Sequence, residues 1–329
     1  MPRKKKSRSC EIGGQAVLEG VMMKNKDDYA VAIRRADGDI AVEVDYYKGV
    51  LGISKIKKIP FIRGIFNFID SLVLGMRTLN YSADFYFDEE EEEPTGFDKA
   101  LDKLFGEKAE SVVMGITTVI AIAIALGLFI LLPFYLSDWL RARIDNISLV
   151  LLLEGLFRIA IFLIYVVAIS LMKDIRRLYA YHGAEHKCIN CVEKGRPLTI
   201  EAAMASSRLH RRCGTSFIFF VIIISIVVFF FIRVDNIWLR AGLRVALVPL
   251  IAGISYEIIR WAGRSDNILV KILSAPGMLL QLLTTREPDA KMVEVAIHAI
   301  EAVFDWKTYV NEISGTIEPR GSEAVASGD

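Results

Sequence analysis

Ser111–Leu136 reads SVVMGITTVIAIAIALGLFILLPFYL, with no charged side chain anywhere in it. A run of about 20 apolar residues is enough to cross the hydrocarbon of a bilayer, so this stretch reads as a transmembrane helix. Ser148–Met172, Thr215–Ile232 and Ala241–Ala262 have the same character and read as three more. Ile268–Leu283 is apolar but short, and Pro276-Gly277 interrupts it, which suggests a re-entrant or interfacial segment. The fold class that follows is mainly α: a polytopic α-helical membrane bundle with a small N-terminal β element. The lipid bilayer is its implied partner.

Composition agrees. Of 329 residues, 53% are hydrophobic, and 40 Lys+Arg almost balance 39 Asp+Glu. A net charge of +1 gives no sign of a nucleic-acid or acidic partner, and no nucleic acid is expected. The basic start MPRKKKSRSC is followed by no apolar core, so no cleavable signal peptide is expected.

Basic residues set the orientation. Residues 173–214 carry Lys173, Arg176, Arg177, Lys187, Lys194, Arg196, Arg208, Arg211 and Arg212. The loop 137–147 has Arg141 and Arg143, and the loop 233–240 has Arg233 and Arg240. The positive-inside rule then places residues 173–214 and both termini in the cytoplasm, in a bacterial inner membrane. Thiols there stay reduced.

Six regions follow. Residues 1–50 are β-rich: Tyr29–Arg34 and Ile40–Asp45 read as strands around an Asp37-Gly38-Asp39 turn. The stretch GGQAVLEG at 13–20 suggests tight turns and close packing. Residues 51–110 hold an amphipathic segment, Pro60–Tyr81, interfacial or lying against the bundle, and an acidic linker, Asp88–Glu93. Residues 111–172 are two spans and 173–214 the cytoplasmic His/Cys region. Residues 215–283 are two spans and the short apolar segment. Residues 284–329 hold an amphipathic helix starting near Pro288 or Asp289, then a polar tail.

The chemistry is concentrated in Tyr181–Cys188, YHGAEHKC. On a helix, His182 and His186 share a face and Glu185 stands beside them. This is the H-x-x-E-H order of inverted zinc-protease motifs: two imidazoles hold a metal and the carboxylate takes a proton from water. His210 and Cys213, three apart, would share a helical face and supply further ligands. Glu257, expected near the cytoplasmic end of the fourth span, is another candidate. Alternatives remain at each. The two histidines would also serve as hydrogen-bonded loop residues. His210 fits a basic patch against headgroups, and Glu257 fits an ion pair with Arg260. Cys188 and Cys191 read as ligands or as small buried residues. Glu154 and Arg158, four apart in the second span, read as an internal ion pair.

YHGAEHK, HRRCGTSF (210–217), GGQAVLEGVMM (13–23) and TTREPD (284–289) together resemble the YqhQ-like family of uncharacterised bacterial membrane proteins, over about residues 11–306. The family is described as predicted metal-dependent enzymes. The resemblance implies a metal site at His182, Glu185, His186, His210 and Cys213. It implies no substrate.

The reading is a metal-dependent membrane enzyme, a hydrolase using Zn²⁺ or another divalent transition metal. His182 and His186 are ligands, Glu185 is the base, and His210, Cys213 or Glu257 completes the site. The alternative is a non-catalytic assembly or scaffold factor for other membrane proteins, with a structural metal or none. A transporter would want polar residues along a midplane path, for which Glu154, Arg158 and Arg244 are the main charged candidates.

Overall fold

The N-terminal region folds into a four-stranded antiparallel sheet in sequential order: β1 (Gly13–Val17), β2 (Gly20–Asn25), β3 (Asp28–Arg34) and β4 (Ile40–Tyr46), with two-residue turns at the first two connections and residues 35–39 at the third. The computed structural model describes residues 10, 12–50, 52, 59–87, 109–262 and 267–314. The basic residues 1–9, the acidic run 88–93 and the tail beyond 314 lie outside the described residues. Val17 faces Gly20 and Asn25 faces Asp28 across the first two turns. Glu19 and Lys26 take positive φ, 51° and 59°, as tight hairpin loops require. The glycine-rich stretch gives both a turn and close packing. A Cβ on Gly14 would lie 2.7 Å from the Met22 carbonyl oxygen and 2.9 Å from Cγ of Glu185.

Strands β2 and β3 are covered on both faces, whereas β4 leaves Val42, Val44 and Tyr46 exposed. Val21, Met23 and Ala32 pack into a core with α5 (Lys173–Glu193), α6 (Ile200–Met204) and α11 (Ala290–Val303). Val17, Met22, Tyr29, Val31 and Ile33 pack on Leu74 of α1 (Ile62–Phe87). Asp289 caps α11, accepting from the Met292 amide at 2.8 Å, and α12 (Trp306–Ser314) follows.

The amphipathic segment forms α1, which lies against both the sheet and the bundle. Three of its charged residues are paired: Arg63 with Glu257, Asp70 with the Val50 amide and Arg77 with Asp45. Phe68, Ile69, Leu72 and Val73 are exposed on it. Gly64 and Gly253 let it approach the bundle, since a Cβ on Gly64 would meet Cα of Gly253 at 3.0 Å.

Three described helical stretches are long and apolar enough to cross a membrane: Gly115–Arg141, Ile147–Ser170 and Ile237–Trp261. The first joins α2 (Ala109–Leu126) and α3 (Leu132–Arg141) through a π turn, Gly127–Leu131. Pro133 has no amide for the Phe129 carbonyl, and that carbonyl accepts from Arg158 Nε at 3.1 Å instead. The second is α4 (Ile147–Ser170), capped by Asn146. The expected Glu154–Arg158 pair lies inside it at 2.9 Å. The third joins α8 (Ile237–Ala246) and α9 (Val248–Ala262) just before Pro249.

The run expected at 215–232 is the shorter apolar helix α7 (Gly214–Phe230), whose 17 residues stand at the short end of the range that crosses a bilayer. One expectation is corrected. Pro276-Gly277 does not break its segment: α10 (Ile268–Thr284) runs through it. Gly277 sits against α7, where a Cβ would lie 3.0 Å from the Ser216 side chain. Packing on a neighbouring helix supports such a proline-containing turn.

Candidate metal centre

Helix α5 carries HGAEH in the register the spacing predicts, with His182 and His186 one turn apart and their rings 4.4 Å between centroids. Cys213 arrives from a distance in sequence as the N-cap of α7, accepting from the Thr215 amide at 3.4 Å. One ligand atom from each of His182, His186 and Cys213 falls within a 4.8 Å group. His182 Nε2 lies 3.1 Å from Cys213 Sγ.

Backbone carbonyls orient both imidazoles. His182 Nδ1 meets the Thr284 oxygen at 2.9 Å, and His186 Nδ1 meets the Arg208 oxygen at 2.6 Å. A carbonyl only accepts, so each Nδ1 carries the hydrogen and each Nε2 keeps its lone pair for the centre. This is the tautomer a metal-ligating histidine needs. Glu185 puts Oε2 3.9 Å from both Nε2 atoms. Its carboxylate also accepts the Gly14 amide of β1. Burial raises the Glu185 pKa, against the nearby His182 and His210 and the Gly14 hydrogen bond, which lower it. Burial also lowers the pKa of His186 and of His210. His182 is the most open of the three at 15% side-chain exposure, so the centre faces outward on that side.

Two imidazole nitrogens and a sulfur are a zinc donor set. Ligand atoms around a tetrahedral zinc stand about 3.5 Å apart, so the group fits such an ion after small shifts. Three protein ligands would leave a tetrahedral ion one further position, and the Glu185 carboxylate stands 3.9 Å from both imidazoles.

The remaining candidates are held elsewhere. His210 does not share a helical face with Cys213. Its amide and carbonyl are both taken by the Gln281 side chain at 2.8 Å, which holds this stretch out of a helix. The His210 ring lies tilted 5.7 Å from His186, and its Nε2 goes to Glu193 at 3.3 Å. Glu257 pairs with Arg63, not Arg260, and accepts the Phe61 amide at 3.3 Å. It is not in the His182–His186–Cys213 group. Cys188 and Cys191 are buried in the core, facing the carbonyls of Val293 and Pro197.

Sequence reasoning missed the orienting carbonyls of Arg208 and Thr284, the Gly14 amide and the Glu193 partner. Two signals were available. Thr284 opens TTREPD, and Gly183 sits between the proposed ligands. A Cβ on Gly183 would collide with the Arg286 carbonyl oxygen, so this glycine is what lets residues 284–288 lie on α5.

All these residues except Gly14 lie within residues 59–306, which match the family model "Protein of unknown function (DUF1385)". The "Uncharacterized protein YqhQ" of Bacillus subtilis (strain 168) is 38% identical over 301 residues, covering 89% of this chain and 92% of that protein. No solved structure matches. With three quarters of its length under the family model and this full-length relative, the chain belongs to the DUF1385 family, among the YqhQ-like proteins that its motifs resemble.

Proposed function

We propose that this protein is a metal-dependent hydrolase of the bacterial inner membrane, with its centre at the cytoplasmic face and both termini in the cytoplasm. The observation that carries the reading is the convergence of His182 Nε2, His186 Nε2 and Cys213 Sγ beside the buried Glu185 carboxylate. His182, His186 and Cys213 would hold Zn²⁺ or another divalent transition metal. Such an ion supplies Lewis acidity and makes water a nucleophile at neutral pH. Glu185 would be the base: its carboxylate stands 3.9 Å from both imidazole Nε2 atoms and would accept the proton that water gives up in attacking the substrate. The Gly14 amide fixes the carboxylate, and the two carbonyls fix the imidazoles. The basic residues of 173–214 support the cytoplasmic placement.

The second reading is a non-catalytic assembly or scaffold factor for other membrane proteins. One observation favours it: His182 and Cys213 hydrogen-bond directly at 3.1 Å, which ties α5 to α7 without any ion. Glu185→Gln separates the two, scored by complementation of a deletion strain alongside metal content. The hydrolase reading expects normal expression, retained metal and lost function. A fully functional, metal-loaded variant would end that reading and favour the scaffold.

A further inference from the structure

Beside the centre runs a sheet edge. β1 is an outer strand, since the sheet order is β1-β2-β3-β4. The two-residue turn makes Val17 and Gly20 a hydrogen-bonded pair, so Gly13, Gln15 and Val17 bond to β2 and the backbone groups of Gly14 and Ala16 point outward. The outward Gly14 amide is the one donated to Glu185. The edge therefore ends at the carboxylate read above as the base.

The edge is accessible and nearly bare of side chains at this end. Gly13 and Gly14 are exposed, and a Cβ on Gly13 would meet nothing within 4 Å. Helices flank β1 above and below. Arg177 and Tyr181 of α5 bind Glu19 on one side. On the other, Gln15 donates to the Gly75 carbonyl of α1 at 3.3 Å. Phe68 of α1 stacks on Phe217 of α7 at 5.2 Å, so α1 continues from β1 towards the helix that carries Cys213.

We propose that the outer edge of β1 binds a polypeptide segment as an added strand and presents one of its peptide bonds to Glu185. An extended polypeptide repeats its donors and acceptors every two residues, about 6.8 Å, matching the outward carbonyl of Gly14, whose amide is held by Glu185, and the outward amide and carbonyl of Ala16. Lipid headgroups and nucleotides carry no such repeat. The proposal rests on the hydrolase reading and names its substrate class. The oxygen of water forms the new bond to the peptide carbonyl carbon, and the carbon–nitrogen bond breaks. Glu185 takes the proton from water and returns it to the departing amine.

The test uses the full chain in detergent with zinc added, and fluorescent β-casein as an unfolded polypeptide probe. Glu185→Gln is the background, so binding is read without cleavage. Ala16→Pro removes one outward amide, a change an edge strand tolerates. Casein is expected to bind the background protein, and Ala16→Pro to weaken binding at least tenfold with metal content and Tm unchanged. If Ala16→Pro fails to fold, Gly13→Cys carrying a benzophenone label replaces it. That label is expected to cross-link casein on irradiation, whereas the same label on Asp235→Cys is not. Equal binding by a folded Ala16→Pro, or cross-linking at Gly13→Cys no greater than at Asp235→Cys, overturns the proposal. So does zinc-loaded protein that hydrolyses p-nitrophenyl acetate in a Glu185-dependent way but neither binds nor cleaves casein, which leaves the hydrolase reading standing. Protein that takes up no zinc removes the hydrolase reading and this proposal with it.

Discussion

Arg244 clasps Glu154 inside the bundle through two parallel hydrogen bonds, Nε to Oε1 at 2.8 Å and Nη2 to Oε2 at 2.6 Å. The pair joins α8 to α4. Arg158 holds the same carboxylate from its own helix at 2.9 Å. One buried acid thus faces two buried guanidiniums, and the rings of Phe134 and Phe229 lie against Arg244, 4.5 and 5.4 Å to their centroids. Aromatic faces partly compensate such a cation.

The cluster predicts unequal single mutants. Glu154→Ala leaves two guanidiniums without their carboxylate and should lower stability by about 3–5 kcal/mol. Arg158→Ala leaves Glu154 in its bidentate pair, and the loss should be about 1–2 kcal/mol. Unfolding in detergent micelles measures both. Equal losses would mean that Arg244, although nearest, does not sustain the carboxylate.

The donor geometry predicts a ligand ranking. Purified protein should carry about one divalent transition metal per chain. His182→Ala with His186→Ala should abolish it, and Cys213→Ser should weaken it. His210→Ala should keep the stoichiometry, because its Nε2 is turned to Glu193. Elemental analysis of the variants decides. Loss of metal in His210→Ala, with metal kept in Cys213→Ser, would reverse the assignment.

Gly183 predicts a coupling between α5 and residues 284–288. Gly183→Ala drives a methyl into the Arg286 carbonyl and displaces the segment whose Thr284 oxygen orients His182. Metal affinity should fall by about 10–100-fold, as when other orienting partners are lost. Competition with a chromogenic chelator measures the fall. Unchanged affinity in a folded variant would show that the Thr284 carbonyl does not set the imidazole.

Membrane orientation has a direct test. All four cysteines are buried, so they report poorly to impermeant thiol reagents, and introduced cysteines are needed. Asp235→Cys, at a fully exposed position, should label in intact cells. Lys194→Cys, exposed at the end of α5, should label only after permeabilisation. The opposite pattern would invert the proposed topology.

The sequence by itself determined what depends on local periodicity. Unbroken apolar runs fixed the long helices, because a bilayer-spanning helix must satisfy its backbone within one segment. Alternation and the Asp37-Gly38-Asp39 turn fixed β3 and β4. The 3.6-residue repeat alone put His182, Glu185 and His186 together, and the four-residue spacing of Glu154 and Arg158 made their pair readable. Only the tertiary structure decided which distant groups join them. Cys213 reaches the histidines because capping α7 places its sulfur there, whereas Gln281 draws the His210 backbone aside and Arg63 takes Glu257. The Thr284 and Arg208 carbonyls, the Gly14 amide and Arg244 likewise enter through packing between elements far apart in the chain. A carbonyl or amide occurs at nearly every residue, so no residue type marks the one that will orient a ligand.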